Sequence, residues 1–138
     1  MTRPQDDDAG VARICVVDDD AAVRHALCNL LEAGGYEVLA FASGEALLAA
    51  PDPARIDLAV FDVKLGGMSG FTLLERFRER ARAEARAIPT LLISGHGDRA
   101  MAQRALDAGA LALLRKPVDP ERLLDLIEDA LGRRNAAP

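Results

Sequence analysis

Four short apolar runs in this 138-residue chain lead directly into residues that can do chemistry. Ile14-Cys15-Val16-Val17 leads into Asp18, Asp19 and Asp20, and Leu58–Phe61 leads into Asp62. Thr90–Ile93 leads into Ser94, and Leu111–Leu114 leads through Arg115 into Lys116-Pro117. Carboxylates crowded together raise one another's pKa, a cost that a hard divalent cation removes. Mg2+ suits such a cradle because it takes oxygen ligands, keeps several waters and binds one or two carboxylates together with a phosphate. A neighbouring hydroxyl and ammonium supply a hydrogen bond and a positive charge to phosphoryl oxygens. Each residue alone has a plainer reading. An Asp after a strand commonly caps a helix, which is the expectation for Asp20; Ser94 could be a turn residue and Lys116 part of a solvated loop. It is their joint occurrence after four runs that points to function.

The runs read as strands over Ala12–Val17, Tyr36–Phe41, Leu58–Phe61, Thr90–Ile93 and Leu111–Leu114. Four are continuously apolar, as strands covered on both faces are. Glu37 interrupts the second, which reads as an edge strand. Helical stretches alternate with them. Ala21–Ala33 carries Val23, Leu27, Leu30 and Leu31 on one stripe and stops at Gly34-Gly35. Ser43 caps a short helix with Leu47 and Leu48 that ends before Pro51. A helix from Gly70 to about Ala83 buries Phe71, Leu74 and Phe77, and Asp98 caps another that turns Met101 and Ala105 inward and runs to Ala108-Gly109. Asp119-Pro120-Glu121 starts a last helix bearing Leu123, Leu124, Ile127 and Leu131 before Gly132. Five βα units with short connections predict a parallel sheet with helices on both faces, whose ligands bind beyond the carboxyl ends of the strands.

The domain is expected over residues 11–132, with 1–10 as a disordered extension and 133–138 as a tail. The net charge of -5 argues against a generic nucleic-acid binder. The Arg76–Arg82 stretch is interleaved with Glu75, Glu79 and Glu84 and reads as a solvated helix face. No apolar stretch nears the ~20 residues of a membrane helix, and the N-terminus lacks the apolar core of a signal peptide. A cytoplasmic protein with two reduced thiols, Cys15 and Cys28, is expected. Leu126 lies off the Leu123/Ile127 stripe and is expected to be exposed, offering a face for a partner or a homodimer.

Five ordered blocks resemble the receiver domains of bacterial two-component response regulators, over roughly residues 12–131. They are Ile14–Asp20, Phe61–Gly70, Ile93–Asp98, Ala108-Gly109-Ala110 and Lys116-Pro117. Ser94-Gly95-His96-Gly97-Asp98 is similar to receivers of nitrogen-fixation-type DNA-binding regulators. The resemblance implies a flavodoxin-like (βα)5 fold with strand order 2-1-3-4-5. It implies that Asp62 accepts a phosphoryl group from a histidine kinase or histidine phosphotransfer protein. Asp19 and Asp62 would bind Mg2+ directly, Asp18 through water, and the Lys64 carbonyl would complete the protein ligands. Ser94 and Lys116 would contact the phosphoryl group, and the Lys116-Pro117 peptide would be cis. In the family, phosphorylation alters the fourth helix, fifth strand and fifth helix to control a partner; such a protein accepts a phosphoryl group rather than turning over a substrate.

Two departures stand out. Gly66 occupies a position usually held by Pro, which predicts a looser loop after Asp62. Leu113 replaces the aromatic three residues before the lysine, whose ring turns inward in the family, so output is expected through the fourth helix and its preceding loop. Lys64 and His96 are expected to flank the phosphoryl group. The enzyme alternative is a phosphatase resembling the haloacid dehalogenase group, suggested by Asp18-x-Asp20, but it needs acids after a strand beyond its lysine and has no role for Asp62. A pseudo-receiver that only binds partners is the other alternative, and the full set of Asp18, Asp19, Asp62, Ser94 and Lys116 speaks against it.

Overall fold

Apolar runs alternating with capped helices produce five βα units in the computed structural model, which describes residues 11–50 and 56–132. The elements are β1 (Arg13–Val17), α1 (Ala21–Ala33), β2 (Glu37–Phe41), α2 (Gly44–Ala49), β3 (Leu58–Asp62) and α3 (Gly70–Ala83). They continue with β4 (Thr90–Ser94), α4 (Arg99–Asp107), β5 (Ala112–Arg115) and α5 (Pro120–Leu131). The strands pair in parallel in the order β2-β1-β3-β4-β5, as the resemblance implied. The expected extension 1–10, the tail 133–138 and Pro51 lie outside the described residues.

Successive side chains of a strand point to opposite faces, so each central strand feeds two cores. Cys15, Val17, Ala59, Phe61 and Leu92 meet Leu47 of α2, Phe71, Leu74 and Phe77 of α3, and Ala105 of α4. Ile14, Val16, Leu58, Val60, Leu91 and Ile93 meet Leu27 and Leu31 of α1 and Leu123 and Ile127 of α5. Thus α2, α3 and α4 cover one face, and α1 and α5 the other. Every residue of β3 and β4 is buried, and each large aliphatic side chain removed from water contributes about 1.5–3 kcal/mol. Phe61 and Phe77 pack edge to face, with ring centroids 5.4 Å apart.

The caps are those the sequence marks. Side-chain oxygens of Asp20, Ser43, Asp98 and Asp119 accept N–H groups in the first turns of α1, α2, α4 and α5, and Ser69 does the same for α3. Gly132 closes α5 at φ 72°, a left-handed conformation that glycine adopts without a Cβ penalty.

Three expectations change. β5, at the edge that the order 2-1-3-4-5 implied, is only partly buried rather than covered on both faces. Leu111 falls just outside it and is exposed. Leu126 is half-buried and packs against the core that α5 shares with α1, as do Leu124, Ala130 and Leu131 beside it. The arginines of α3 are more than a solvated face: Arg80 donates to the carbonyls of Leu48 and Ala50, and Arg78 to that of Ala108. These contacts satisfy chain ends that helical bonding leaves open.

Candidate functional site

Parallel pairing fixes which residues meet at the carboxyl edge of the sheet. Val17 pairs with Phe61, Asp62 with Ile93, and Ser94 with Arg115. Asp18, Asp62, Ser94 and Lys116 therefore stand at adjoining strand ends. They line or adjoin a cavity of about 500 Å³ whose walls include Asp19, Asp62, Lys64, Ser94, His96 and Lys116.

The central feature is an ammonium between two carboxylates. Lys116 Nζ donates to Asp62 Oδ2 at 3.1 Å and lies 3.2 Å from Asp18 Oδ2. Asp18 is fully buried and Asp62 is 3% exposed. Asp18 Oδ1 accepts the Asp20 N–H at 2.9 Å, and Arg24 reaches back from α1 to the Asp18 carbonyl at 2.8 Å. Asp18 Oδ2 has the Lys116 ammonium as its ion-pair partner and no other partner among the described residues. A buried carboxylate oxygen with that single partner keeps acceptor capacity for a further ligand or water. Asp19, on the exposed side, completes a cluster in which one oxygen from each of Asp18, Asp19 and Asp62 lies within 4.8 Å of the others. Three hard carboxylates facing one ammonium fit a divalent cation.

The electrostatics follow from burial. Desolvation, helped by the Asp18 charge, holds the Asp62 carboxyl above its ordinary pKa; the hydrogen bond and charge of Lys116 and the Lys64 N–H oppose this without reversing it. Desolvation pulls the Lys116 ammonium down, but the Asp62 and Asp18 carboxylates more than offset it and its pKa is raised. Ser94 Oγ accepts the His96 N–H at 3.0 Å, which leaves its hydroxyl proton free to donate. The Lys116 main-chain N–H donates to the Ser94 carbonyl at 2.9 Å, fixing the two strand ends that carry the hydroxyl and the ammonium side by side. The Lys116-Pro117 peptide is cis, as the resemblance implied.

Residues 14–128 match the response regulator receiver domain family. The chain belongs to this family. The receiver is 38% identical over 125 residues to the transcriptional regulatory protein FixJ of Bradyrhizobium diazoefficiens, covering 91% of this chain and 58% of that protein. It is 39% identical over 122 residues to nodulation protein W of the same organism, covering 88% and 52%. The chain thus spans a little over half the length of these curated relatives. Among solved structures it resembles the CheY-like response regulator receiver domain protein of Methanospirillum hungatei JF-1, with a TM-score of 0.78, 32% identity, and coverage of 93% of this chain and 99% of that one. It is therefore a receiver domain of two-component signalling, and its likeness to nitrogen-fixation-type regulators is borne out. Among the described residues, no helix is long and apolar enough to cross a membrane.

The five side chains singled out in the sequence converge, and Lys64 lines the same cavity. Three further contributors were missed. Arg24 holds the Asp18 main chain. Gly70 lies against the Asp62 main chain. Glu45, in the first turn of α2, accepts the Met68 N–H in the loop after Asp62. All three act through contacts distant in sequence or with the main chain, so no local pattern reveals them.

Proposed function

We propose that this receiver accepts a phosphoryl group on Asp62, with Mg2+ held beside it, from a histidine kinase or a histidine phosphotransfer protein. What carries the reading is one arrangement: the Asp62 carboxylate, 3.1 Å from the Lys116 ammonium, shares a 4.8 Å cluster with Asp18 and Asp19. Asp19 and Asp62 would bind the ion directly, Asp18 through a water, and Lys64 through its carbonyl. When bound, the cation neutralises charge on the carboxylates and on the incoming phosphoryl oxygens.

The chain's own residues do the rest. An Asp62 oxygen forms the new O–P bond as the donor's N–P bond breaks; the imidazole nitrogen keeps that electron pair and is protonated. The ionised carboxylate is the nucleophile; burial disfavours that form, and the Lys116 ammonium and a bound cation favour it. Lys116 then pairs with a phosphoryl oxygen rather than with the carboxylate alone. The Ser94 hydroxyl donates to a second oxygen. Lys64 and His96 flank the group and govern the approach of the water that later hydrolyses it. Phosphorylation acts on a downstream partner through the α4, β5 and α5 region, chiefly through α4 and the loop before it.

Intact-mass spectrometry after incubation with acetyl phosphate and Mg2+ tests this. Wild type gains one phosphoryl mass, and Asp62→Ala gains none. A wild-type protein that stays unmodified, or an Asp62→Ala protein that is still phosphorylated, overturns the proposal.

A further inference from the structure

The loop between Asp62 and α3 carries consecutive glycines, Gly66 and Gly67. Neither has a side chain to anchor it, and no proline fixes φ at either position. Such a segment loses the most entropy on being ordered. Yet this loop must hold Lys64 beside the acidic cluster, so something outside it has to supply the order.

The contacts around the glycine pair identify what does. Glu45 Oε2 accepts the Met68 N–H at 3.1 Å across 23 residues of sequence. The same oxygen lies 2.6 Å from where a Cβ on Gly67 would stand. On the other side, a Cβ on Gly66 would lie 3.6 Å from Asp19 Oδ2. The two glycines therefore thread between two carboxylates, Asp19 of the acidic cluster and Glu45 of a different helix. Ser43 caps the first turn of α2, which fixes the base from which Glu45 reaches. Met68 and Leu73 pack against Gly44 on the same turn, where a Cβ would meet Met68 Sδ and Leu73 Cδ1 at 3.2 Å each. Neighbouring positions 44 and 45 thus grip the loop by packing and by a hydrogen bond.

We infer that Glu45 is a positioning residue for the metal-binding loop: by accepting the Met68 N–H it braces Lys64–Ser69 against the Asp19 side of the site. The inference rests on the Mg2+ reading above. A Cβ at position 67 would displace the Glu45 carboxylate, the movable end of a flexible side chain, so glycine there keeps the carboxylate on the Met68 N–H.

The test is Mg2+ titration by calorimetry of the full chain, with amide hydrogen exchange at Met68 measured on the metal-free protein. Glu45→Ala is expected to weaken Mg2+ binding by up to about fivefold, the upper end for one charge-assisted hydrogen bond at an exposed position, and to speed Met68 exchange. Glu45→Gln keeps an acceptor and is expected to restore most of both. Gly67→Ala should reproduce Glu45→Ala, and the double variant should be no worse than either single one. If wild type binds Mg2+ and Glu45→Ala binds it equally well, or if Met68 exchange is unchanged, the brace is disproved while the metal site stands. If wild type binds no Mg2+, the functional reading fails and this inference fails with it; Met68 exchange would then report the loop contact alone.

Discussion

Gly70 lies so close to the main chain of Asp62 that a Cβ at position 70 would collide with the Asp62 carbonyl oxygen. Gly70 is the first residue of α3, and its N–H binds the Val63 carbonyl at 2.8 Å. The start of α3 is thereby locked onto the strand end that presents Asp62. Because the obstruction is main chain, a side chain cannot swing clear. Gly70→Ala should cost about 1–3 kcal/mol, the usual range for overpacking, read by urea unfolding. It should also slow phosphorylation of the folded fraction. A variant as stable and as readily phosphorylated as wild type would show that the contact relaxes freely.

Asp62 has a folded pKa above its ordinary 3.8, with burial as the main cause. A raised carboxyl pKa means that the folded state holds this proton more tightly than the unfolded one, so stability from this group is present at low pH and lost as pH rises from about the unfolded value through the folded one. Asp62→Asn, which never ionises, should match wild type below that window in metal-free buffer and be the more stable protein above it. Thermal melts across pH check this. A neutral-pH variant no more stable than metal-free wild type would contradict it. Adding Mg2+ should raise the melting temperature of wild type more than that of the variant.

Lys64 and His96 border the cavity, and a Cβ on Gly95 would meet nothing within 4 Å. In the proposed reading, the Gly95 side leaves room for water to approach the phosphoryl group, and Lys64 and His96 are the side chains placed to screen it. Lys64→Ala should hasten loss of the acyl phosphate roughly threefold, under 1 kcal/mol of barrier. Decay of the phosphorylated mass with time measures it. Identical decay in the two proteins would remove Lys64 from this role.

Leu113 packs beneath the loop before α4, where a Cβ on Gly97 would lie 3.1 Å from Leu113 Cδ2. An aliphatic side chain can repack there but has no ring to turn. Structures of the resting and beryllofluoride-bound protein should show α4 and residues 95–98 displaced with the Leu113 rotamer unchanged. A Leu113 rotamer change coupled to movement of Ser94 would refute output by that route.

Burial pushes the Cys15 thiol up to about 12, and Cys28, half-buried on α1, is also raised, chiefly by burial with the Glu32 charge adding to it. Thiolate is the reactive form. Iodoacetamide should modify Cys28 slowly in the native protein and Cys15 only after unfolding. Native labelling of Cys15 would mean that the β1 core opens.

The sequence alone determined the order of elements, because period and caps are local properties. Asp20, Ser43, Asp98 and Asp119 stand where their helices begin, and apolar runs too short for helices must be strands. It also determined which residues end those strands, and so which chemistry could assemble. Tertiary structure decided what each acid experiences. Asp18, Asp19 and Asp20 are adjacent in sequence, yet one is fully buried beside Lys116, one faces the open side of the cluster, and one caps α1. That division depends on the direction in which the chain leaves β1 and on the partner 98 positions further along, which is set by the strand pairing. The contacts of Glu45 with Met68, Gly70 with Asp62 and Arg78 with Ala108 likewise join a side chain or a bare Cα to distant main chain. Main chain is alike at every residue, so the amino-acid string carries no mark of such contacts; only the folded path brings the partners together.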